Sequence, residues 1–288
     1  MVQVAGEVQV RDRERVAAAK RIVIKLGTNV LMRDDGAAAV GLLYGLVEAA
    51  VNVLRQSKEL ILVSSGAIAL GSKRLGLAES PVELALKQAC AAVGQSQLMS
   101  LYEDAFRHFN VNTAQVLLTE EDFRDPVRYS NLRNTLDRLL QLGVVPIINE
   151  NDTVSTLEID RVGQPGDVQR VFGDNDKLSA LVMTKIDADL LVLLSDVDGL
   201  YTAHPSDEGA ELIAEVDGVA AELDSYAKGK TARGRGGMST KIEAARIATE
   251  AGKVAVIANG RTPGIVEKIA SGANVGTVFY PAAEETRR

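Results

Sequence analysis

The 288-residue sequence lacks tryptophan and has only one cysteine, Cys90, which excludes a disulfide bond within the chain. A single thiol is typical of a protein from the reducing cytoplasm. The neighbours of Cys90 in "LKQACAAVGQ" are small, helix-forming residues, so we predict a buried structural thiol without a catalytic role. Apolar runs such as "DLLVLLSD" are shorter than the roughly 18 residues of a membrane helix, and neither a membrane span nor a signal peptide is predicted.

Clustered positive charge is also missing, because the formal net charge is −7 and the isoelectric point is about 5.1. A nucleic-acid surface normally collects lysine and arginine to neutralise phosphates. We therefore expect a small-molecule partner and no nucleic acid or membrane. The two histidines, His108 and His204, lie too far apart in sequence for a local metal motif, and we assign them no chemistry.

Short apolar segments alternate with longer segments of helical period, which predicts an α/β fold with a mainly parallel sheet. The predicted strands are "RIVIKLG", "LILVSS", "TAQVLLT", "VVPIINEN", "LLVLLSD", "VAVIANG" and "VGTVFY". The predicted helices are Val40–Arg55, Pro81–Phe109, Arg128–Leu142, Lys177–Ile186 and Gly237–Gly252. We expect residues 1–20 to form a peripheral arm or helix, Ser155–Phe172 to form an exposed loop or hairpin, and residues 21–288 to form one domain.

Polar and glycine residues follow five of the predicted strands, at the carboxyl ends where open α/β sheets bind their ligands. These segments are "KLGTN" from Lys25, "SSGA" from Ser64, "NEND" from Asn149, "SDVDG" from Ser195 and "NGRTPG" from Asn259. Turns alone also favour such residues, and we interpret "NGRTPG" mainly as a turn.

Lys25 interrupts a strand that is otherwise apolar, which would leave an uncompensated ammonium near the core. A bound anion would offset that charge, whereas a lysine that extends to solvent at a strand end is the simpler alternative. Gly27 follows and allows the backbone to approach a ligand closely. Phosphate recognition is the preferred interpretation.

The segment "RGRGGMSTKIEAA" matches neither the Walker loop nor the dinucleotide fingerprint. Gly236, Gly237, Ser239 and Thr240 nevertheless lead into an amphipathic helical run, which would direct free N–H groups and a helix dipole at an anion. Lys241 lies in the first turn, where its positive charge is repelled by the positive end of the helix dipole unless an anion is close. A flexible loop with an exposed lysine is the alternative.

Carboxylates and amides cluster near the middle of the chain, in "NEND" and "GDNDK". Asp176 could simply cap a helix that begins at Lys177. Alternatively, Asp152, Asp174, Asp176 and Asn175 could organise the two lysines, receive a substrate ammonium, or hold a metal through water.

Seven blocks occur here in the order found in glutamate 5-kinases of the amino acid kinase superfamily, which the chain resembles from about Arg21 to Tyr280. The blocks are "IKLGTNVL", "LVSSGAIALG", "KQACAAVGQSQLM", "INENDTV", "GDNDKLSALV", "LLSDVDGLYTAHP" and "GRGGMSTKIEAA". The resemblance implies a three-layer αβα sandwich around a mainly parallel open sheet. It also implies ATP-dependent phosphorylation of the γ-carboxylate of L-glutamate to L-glutamyl 5-phosphate, the first step of proline biosynthesis.

Site residues are implied by the matching motifs. Lys25 and Lys241 resemble the pair that neutralises the transferred phosphoryl group, with Asp176 positioning them as the third catalytic residue. The N-terminal part would bind glutamate through Ser65, Asp152, Asn175 and Asp174. The C-terminal part would bind ATP, together with Lys25 and Gly27, through Ser195, Asp196, Arg235, Gly236, Gly237, Met238, Ser239, Thr240 and Lys241.

The chemistry is compatible with these residue types. A glutamate carboxylate, with an ordinary pKa of about 4.3, is ionised at neutral pH and needs no general base. Fixed cations and backbone donors should therefore carry the catalysis. We expect Mg²⁺ to bind mainly to the ATP phosphates and leave its protein ligands unassigned.

Three departures from the common bacterial pattern qualify the resemblance. The sequence ends at Arg288 without the PUA domain or reductase domain of many relatives, Ser155–Phe172 is longer, and Ser195 replaces the usual threonine. The resemblance suggests a homodimer or homotetramer, with proline as a candidate feedback inhibitor and glutamyl phosphate reductase as a candidate partner. A related kinase with another acceptor, and a non-catalytic glutamate or proline sensor, are the alternative functions.

Overall fold

A computed structural model describes residues 2–4, 13–79, 81–154, 175–218, 223 and 237–282, so the predicted Ser155–Phe172 loop lies outside the described residues. The strands within these ranges are β1 (Val2–Val4), β2 (Arg21–Leu26), β3 (Glu59–Ser64), β4 (Thr113–Leu118), β5 (Val145–Glu150), β6 (Leu190–Ser195), β7 (Ile213–Asp217), β8 (Val254–Asn259) and β9 (Thr277–Tyr280). The helices are α1 (Glu14–Ala17), α2 (Thr28–Leu31), α3 (Val40–Leu54), α4 (Ala67–Arg74), α5 (Leu84–Arg107), α6 (Glu121–Arg124), α7 (Pro126–Gln141), α8 (Asn175–Lys185), α9 (Met238–Glu250) and α10 (Ile265–Ala270).

The strands form one open sheet in the order β1-β7-β9-β8-β6-β2-β3-β5-β4. Pairing is parallel from β8 to β4 and between β7 and β9, whereas β9 runs antiparallel to β8 and β1 runs antiparallel to β7. The mainly parallel α/β fold that the sequence predicts is confirmed.

Each face of the sheet is covered by helices, which makes three layers. Alternate residues of β2 enter different core clusters, with Ile22 and Ile24 facing α3, α5 and α10, and Val23 facing α7, α8 and α9. A strand buried on both sides must be apolar at nearly every position, as β2, β3, β6 and β8 are. The same alternation places Lys25 on the face of Val23, under α8 and α9.

All seven predicted strands and five predicted helices are present, with ends that differ by a few residues. One expectation about a helix end is wrong, because α8 already includes Asn175 and Asp176 and does not begin at Lys177. Asp176 therefore lies in the first turn of α8 rather than at its cap. Neither β7 nor α4 is among the predicted elements.

Helices α4 and α5 pack so closely that glycine is required where they cross. A Cβ atom on Gly94 of α5 would lie 1.7 Å from the carbonyl oxygen of Ala67, and one on Gly71 of α4 would lie 1.8 Å from that of Cys90. Cys90 is fully buried in this contact, as predicted. The crossing fixes α4, which begins two residues after Ser65, against the long helix α5.

Arg13, near the start of the described residues, packs against segments from the C-terminal half of the chain. The buried guanidinium of Arg13 donates hydrogen bonds to the carbonyl oxygens of Ala273 and Ala214, at 3.0 and 3.2 Å, and lies 3.9 Å from the carboxylate of Glu215. Burial lowers the pKa of Arg13, an effect opposed by Glu215. Within the described ranges, no helix has the length and apolar character needed to cross a membrane.

Candidate active site

The polar segments predicted to form a site gather at one edge of the sheet. Strands β2, β3, β5, β6 and β8 are parallel, so their carboxyl ends emerge together. Strand β2 lies in the centre, between β3 and β6, and ends in Lys25 and Leu26. Side chains from α8 and α9 reach the same place.

Two lysines and one aspartate form the centre of this edge. The Nζ of Lys25 lies 2.6 Å from Oδ1 of Asp176, and the Nζ of Lys241 lies 3.1 Å from Oδ2 of the same carboxylate. Thr240, one residue before Lys241, donates a hydrogen bond of 2.8 Å to Oδ2. All three charged side chains are buried, with exposures of 3%, 0% and 5% for Lys25, Asp176 and Lys241.

The structure corrects the prediction that the Lys25 ammonium is uncompensated, because Asp176 neutralises it within the protein. Burial raises the pKa of Asp176, but the charges of Lys25 and Lys241 outweigh that effect and hold it below its usual range. The carboxylate therefore stays ionised and bridges the two ammonium groups. Two positive charges and one negative charge leave a net charge of +1, which suits a bound anion.

Gly237, the last residue of the glycine-rich segment, directly precedes α9, as the sequence predicts. Gly237 adopts an extended conformation immediately before the helix, and among the described residues a Cβ on Gly237 would contact only the hydroxyl of Ser239, at 3.9 Å. Met238, Ser239 and Thr240 form the first turn, whose N–H groups have no acceptor earlier in the helix. Arg235 and Gly236, also predicted for this loop, lie outside the described residues.

Two of the predicted acceptor-binding residues, Ser65 and Asn175, meet where β3 ends and α8 begins. The Nδ2 of Asn175 donates to the carbonyl oxygen of Ser64 at 2.7 Å and to the hydroxyl of Ser65 at 3.0 Å. Asp152 lies half-buried in the turn that follows β5. Asp174, also predicted for this group, lies outside the described residues.

The end of β6 supplies a second polar group. The Oγ of Ser195 donates to Oδ1 of Asp196 at 3.1 Å, and Nδ2 of Asn29 donates to Oδ2 of Asp196 at 3.0 Å. Burial opposes ionisation of Asp196, but these hydrogen bonds lower its pKa below the usual range. Gly27 directly follows β2, and a Cβ atom on it would lie 3.4 Å from the carbonyl oxygen of Leu194. The backbone at Gly27 therefore passes close to β6.

Several polar residues of this edge had no role in the sequence interpretation. Asn29 belongs to "KLGTN" and Asn149 to "NEND", so their strand-end segments were the available signal. Gln95 and Tyr102 lie on α5, and only the "KQACAAVGQSQLM" block draws attention to Gln95. Tyr102 is fully buried and its hydroxyl lies 2.9 Å from Oγ of Ser64; burial raises the pKa of Tyr102.

The segment "NGRTPG" after β8 forms a turn, as predicted. The N–H of Thr262 donates to the carbonyl oxygen of Asn259 at 3.1 Å, and Gly264 adopts a left-handed conformation. The side chain of Asn259 also donates to Asp198 at 2.9 Å, which connects this turn to the segment after β6.

The described residues contain no group of three or more His, Cys, Asp or Glu side chains placed to hold a metal ion. The edge instead provides two ammonium groups, a bridging carboxylate and the N-terminus of α9. Such an arrangement can stabilise negative charge that is shared among phosphate oxygens.

The chain is similar to known proteins over most of its length. Residues 20–259 match the amino acid kinase family. The chain is 43% identical to a glutamate 5-kinase of Geobacter sp. (strain M21) over 278 residues, which cover 96% of this chain and 72% of that protein. It is 48% identical to a glutamate 5-kinase of Myxococcus xanthus (strain DK1622) over 277 residues, which cover 93% and 69%.

Solved structures share the fold at lower sequence identity. A carbamate kinase from Giardia lamblia bound to AMP-PNP superposes with a TM-score of 0.62 at 19% identity, covering 92% of this chain and 99% of that one. A UMP kinase from Bacillus anthracis superposes with a TM-score of 0.61 at 16% identity, covering 92% and 97%.

Proposed function

The chain belongs to the amino acid kinase family, and within it to the glutamate 5-kinases, and we propose accordingly that it transfers the γ-phosphoryl group of ATP to the γ-carboxylate of L-glutamate. The products are ADP and L-glutamyl 5-phosphate. This reaction would commit glutamate to proline biosynthesis. We also propose a cytoplasmic location, because the single cysteine suits a reducing compartment.

The observation that carries the proposal is the buried arrangement of Lys25, Asp176 and Lys241. In the reaction, a carboxylate oxygen of glutamate attacks the γ-phosphorus while the bond from that phosphorus to the β–γ bridging oxygen breaks, and ADP leaves with the electron pair. The nucleophile is already ionised, so no proton has to be removed. The difficulty is the repulsion between two anions, which two fixed ammonium groups reduce.

Asp176 holds both ammonium groups in place before the substrates arrive. Because its two oxygens contact different lysines, the carboxylate fixes the distance between them. Preorganised charges stabilise a transition state without further reorganisation. We therefore assign Lys25 and Lys241 to the transferred phosphoryl group and Asp176 to their positioning.

We assign the two substrates to different parts of the edge. Ser65, Asn175 and Asp152, at the ends of β3 and β5 and the start of α8, would contact glutamate. Ser195 and Asp196 after β6, together with the first turn of α9, would contact ATP. The transferred phosphoryl group would then lie between them, beside Lys25 at the end of β2. Mg²⁺ would neutralise the ATP phosphates.

The direct test measures glutamate-dependent ADP release from ATP and Mg²⁺, with hydroxylamine to trap the acyl phosphate as a hydroxamate. We expect hydroxamate in proportion to ADP with L-glutamate, and no comparable turnover with N-acetylglutamate, aspartate, carbamate or a nucleoside monophosphate. A preference for one of those acceptors would replace the proposed substrate. Binding of glutamate or proline without any turnover would indicate a sensor instead.

A further inference from the structure

A chain of three side-chain amides connects helix α5 to the proposed glutamate site. The Nδ2 of Asn149, at the end of β5, donates to Oε1 of Gln95 on α5 at 2.8 Å. The Nδ2 of Asn175, at the start of α8, donates to Oδ1 of Asn149 at 2.9 Å. Gln95 and Asn149 are both buried, with exposures of 9% and 3%, whereas Asn175 is half-buried.

The direction of these hydrogen bonds is fixed by the backbone at two places. The N–H of Glu150 donates to Oδ1 of Asn149 at 2.9 Å, so that atom has to be an oxygen. The carbonyl oxygen of Ser64 accepts from Nδ2 of Asn175 at 2.7 Å, so that atom has to be a nitrogen. Asn149 must therefore present its amide nitrogen to Gln95, and Gln95 must present its oxygen in return.

Asn175 consequently presents an oxygen to whatever binds beside it. The two hydrogens of its Nδ2 are shared among three acceptors, the carbonyl oxygen of Ser64, Oγ of Ser65 and Oδ1 of Asn149, whereas its Oδ1 has no hydrogen-bond partner among the residues that the structure describes. A lone amide carbonyl oxygen accepts hydrogen bonds and cannot donate them. Next to a substrate amino acid, it is complementary to the α-ammonium group and not to either carboxylate.

We propose that Gln95 is a positioning residue that holds Asn149 and Asn175 in this orientation, so that Oδ1 of Asn175 accepts a hydrogen bond from the α-ammonium group of the acceptor. This inference rests on the proposed function. It adds a source of selectivity for an amino acid over a simple dicarboxylate. Gln95 would act through two other side chains and would touch neither substrate.

The burial of Gln95 supports a role beyond packing. Its Oε1 accepts from Asn149, but its Nε2 is buried without a hydrogen-bond partner among the described residues. An unsatisfied buried donor is destabilising, and an apolar residue of similar size would avoid it. The acceptor that Gln95 supplies to Asn149 gives a physical reason for a glutamine at this position.

The test compares L-glutamate with glutarate, which has both carboxylates and lacks the ammonium group. In Gln95→Met the side chain keeps its length but loses the acceptor, so Asn149 and Asn175 can rotate. We expect kcat/KM for glutamate to fall about tenfold through a higher KM, with the KM for ATP and kcat/KM for glutarate unchanged. The ratio of kcat/KM for glutamate to kcat/KM for glutarate would then fall about tenfold.

Two further variants complete the design. Gln97→Met removes a neighbouring glutamine of α5 that is absent from the amide chain, and it should leave the acceptor ratio unchanged. Gln95→Glu retains an oxygen acceptor and should keep the ratio within about threefold of the original, even if Gln95→Met fails to fold. The inference would be overturned if Gln95→Met lowered kcat/KM equally for glutamate and glutarate or left the ratio of the two values unchanged. It would also be overturned if Gln95→Glu lost the preference for glutamate. Absence of glutamate phosphorylation in the unmodified protein would instead overturn the proposed function.

Discussion

The ammonium group of Lys25 and the carboxylate of Asp176 form a buried ion pair, with Nζ and Oδ1 separated by 2.6 Å. The lysine ends the central strand β2, and the aspartate lies in the first turn of α8. Neither charge would be stable alone in such a place, because an isolated buried charge loses its hydration. The pair therefore connects the stability of the sheet edge to the positive charge that the proposed reaction needs.

Loss of either lysine should remove most of the catalytic rate. In Lys25→Met and Lys241→Met the stem of the side chain is kept and the charge is lost. We expect kcat in the hydroxamate assay to fall about 10²–10³-fold, as for the loss of one preorganised electrostatic donor. Lys20→Met, at the exposed position just before β2, is the control and should retain the original rate. Near-normal rates in both active-site variants would contradict the proposed mechanism.

Removal of the bridging carboxylate should destabilise the fold as well as reduce activity. Asp176→Asn leaves two buried ammonium groups without their counter-charge, and we expect the free energy of unfolding in urea to fall by about 3–5 kcal/mol. Asp187→Asn removes an exposed carboxylate that lies 2.6 Å from Nζ of Lys253, and it should cost at most about 1 kcal/mol. If the two variants lost the same free energy of unfolding, the buried ion pairs of Asp176 would contribute no more to stability than the exposed pair of Asp187.

The contribution of Asp176 should depend on pH in one direction. Its pKa in the folded protein is below the usual value, so the unfolded chain binds the proton more readily. The stabilisation is therefore complete above about pH 4 and is lost as the pH falls below that value. The difference in unfolding free energy between the original protein and Asp176→Asn should stay constant from about pH 6 to about pH 5 and shrink as the pH falls below about 4, towards the lower pKa of the folded protein. If the difference in unfolding free energy instead grew on acidification, the pKa of Asp176 would have to be raised in the folded protein and not lowered.

The contact between α4 and α5 should not tolerate a methyl group. Gly94→Ala would bring Cβ to 1.7 Å from the carbonyl oxygen of Ala67, so the helices must separate. We expect a loss of about 1–3 kcal/mol or more in the free energy of unfolding. Gly45→Ala in α3 is the matched control, since a Cβ there meets nothing within 4 Å. That variant should gain about 0.5–1 kcal/mol from helix propensity, and a loss there would weaken the steric explanation.

The side chain of Asn29 should affect the nucleotide rather than the acceptor. Asn29→Leu removes the 3.0 Å hydrogen bond to Asp196, which then loses one restraint at the end of β6. We expect the KM for ATP to rise by roughly threefold to tenfold, with the KM for glutamate unchanged. Asn52→Leu removes a comparable bond, from Asn52 to Glu267 between α3 and α10, and should change neither KM. A rise in the KM for glutamate alone would place Asn29 in the other half of the site.

Much of the sheet could be predicted from the sequence because its central strands are buried on both faces. Strand β7 was missed because Glu215 and Asp217 interrupt its apolar pattern; Glu215 is buried beside Arg13, which is far away in sequence. Helix α4 was missed because it directly follows "SSG" and contains Gly71. Gly71 interrupts the helical pattern of the sequence, but its lack of a side chain allows α5 to pack closely against α4.

The site was predictable where one residue violates a local pattern. Lys25 in an apolar strand and Lys241 in the first turn of a helix both do so, and the structure brings them to the same carboxylate. The local pattern left the counter-charge for Lys25 open, because Asp176 was equally suited to a helix cap; the resemblance to glutamate 5-kinases was the signal that implied Asp176 as the partner of both lysines. Gln95 has no unusual local pattern, and its hydrogen bond to Asn149 depends on how α5 packs against the sheet.

The contacts of Arg13 have a consequence for the order in which segments of the chain can fold. The carbonyl oxygen of Ala273 accepts from Arg13, and β1 pairs with β7, so both segments pair with residues that are translated much later. Folding during synthesis normally proceeds from the N-terminus. Here Arg13 must wait for residues around Ala214 and Ala273, and until those residues are made its guanidinium stays hydrated instead of buried.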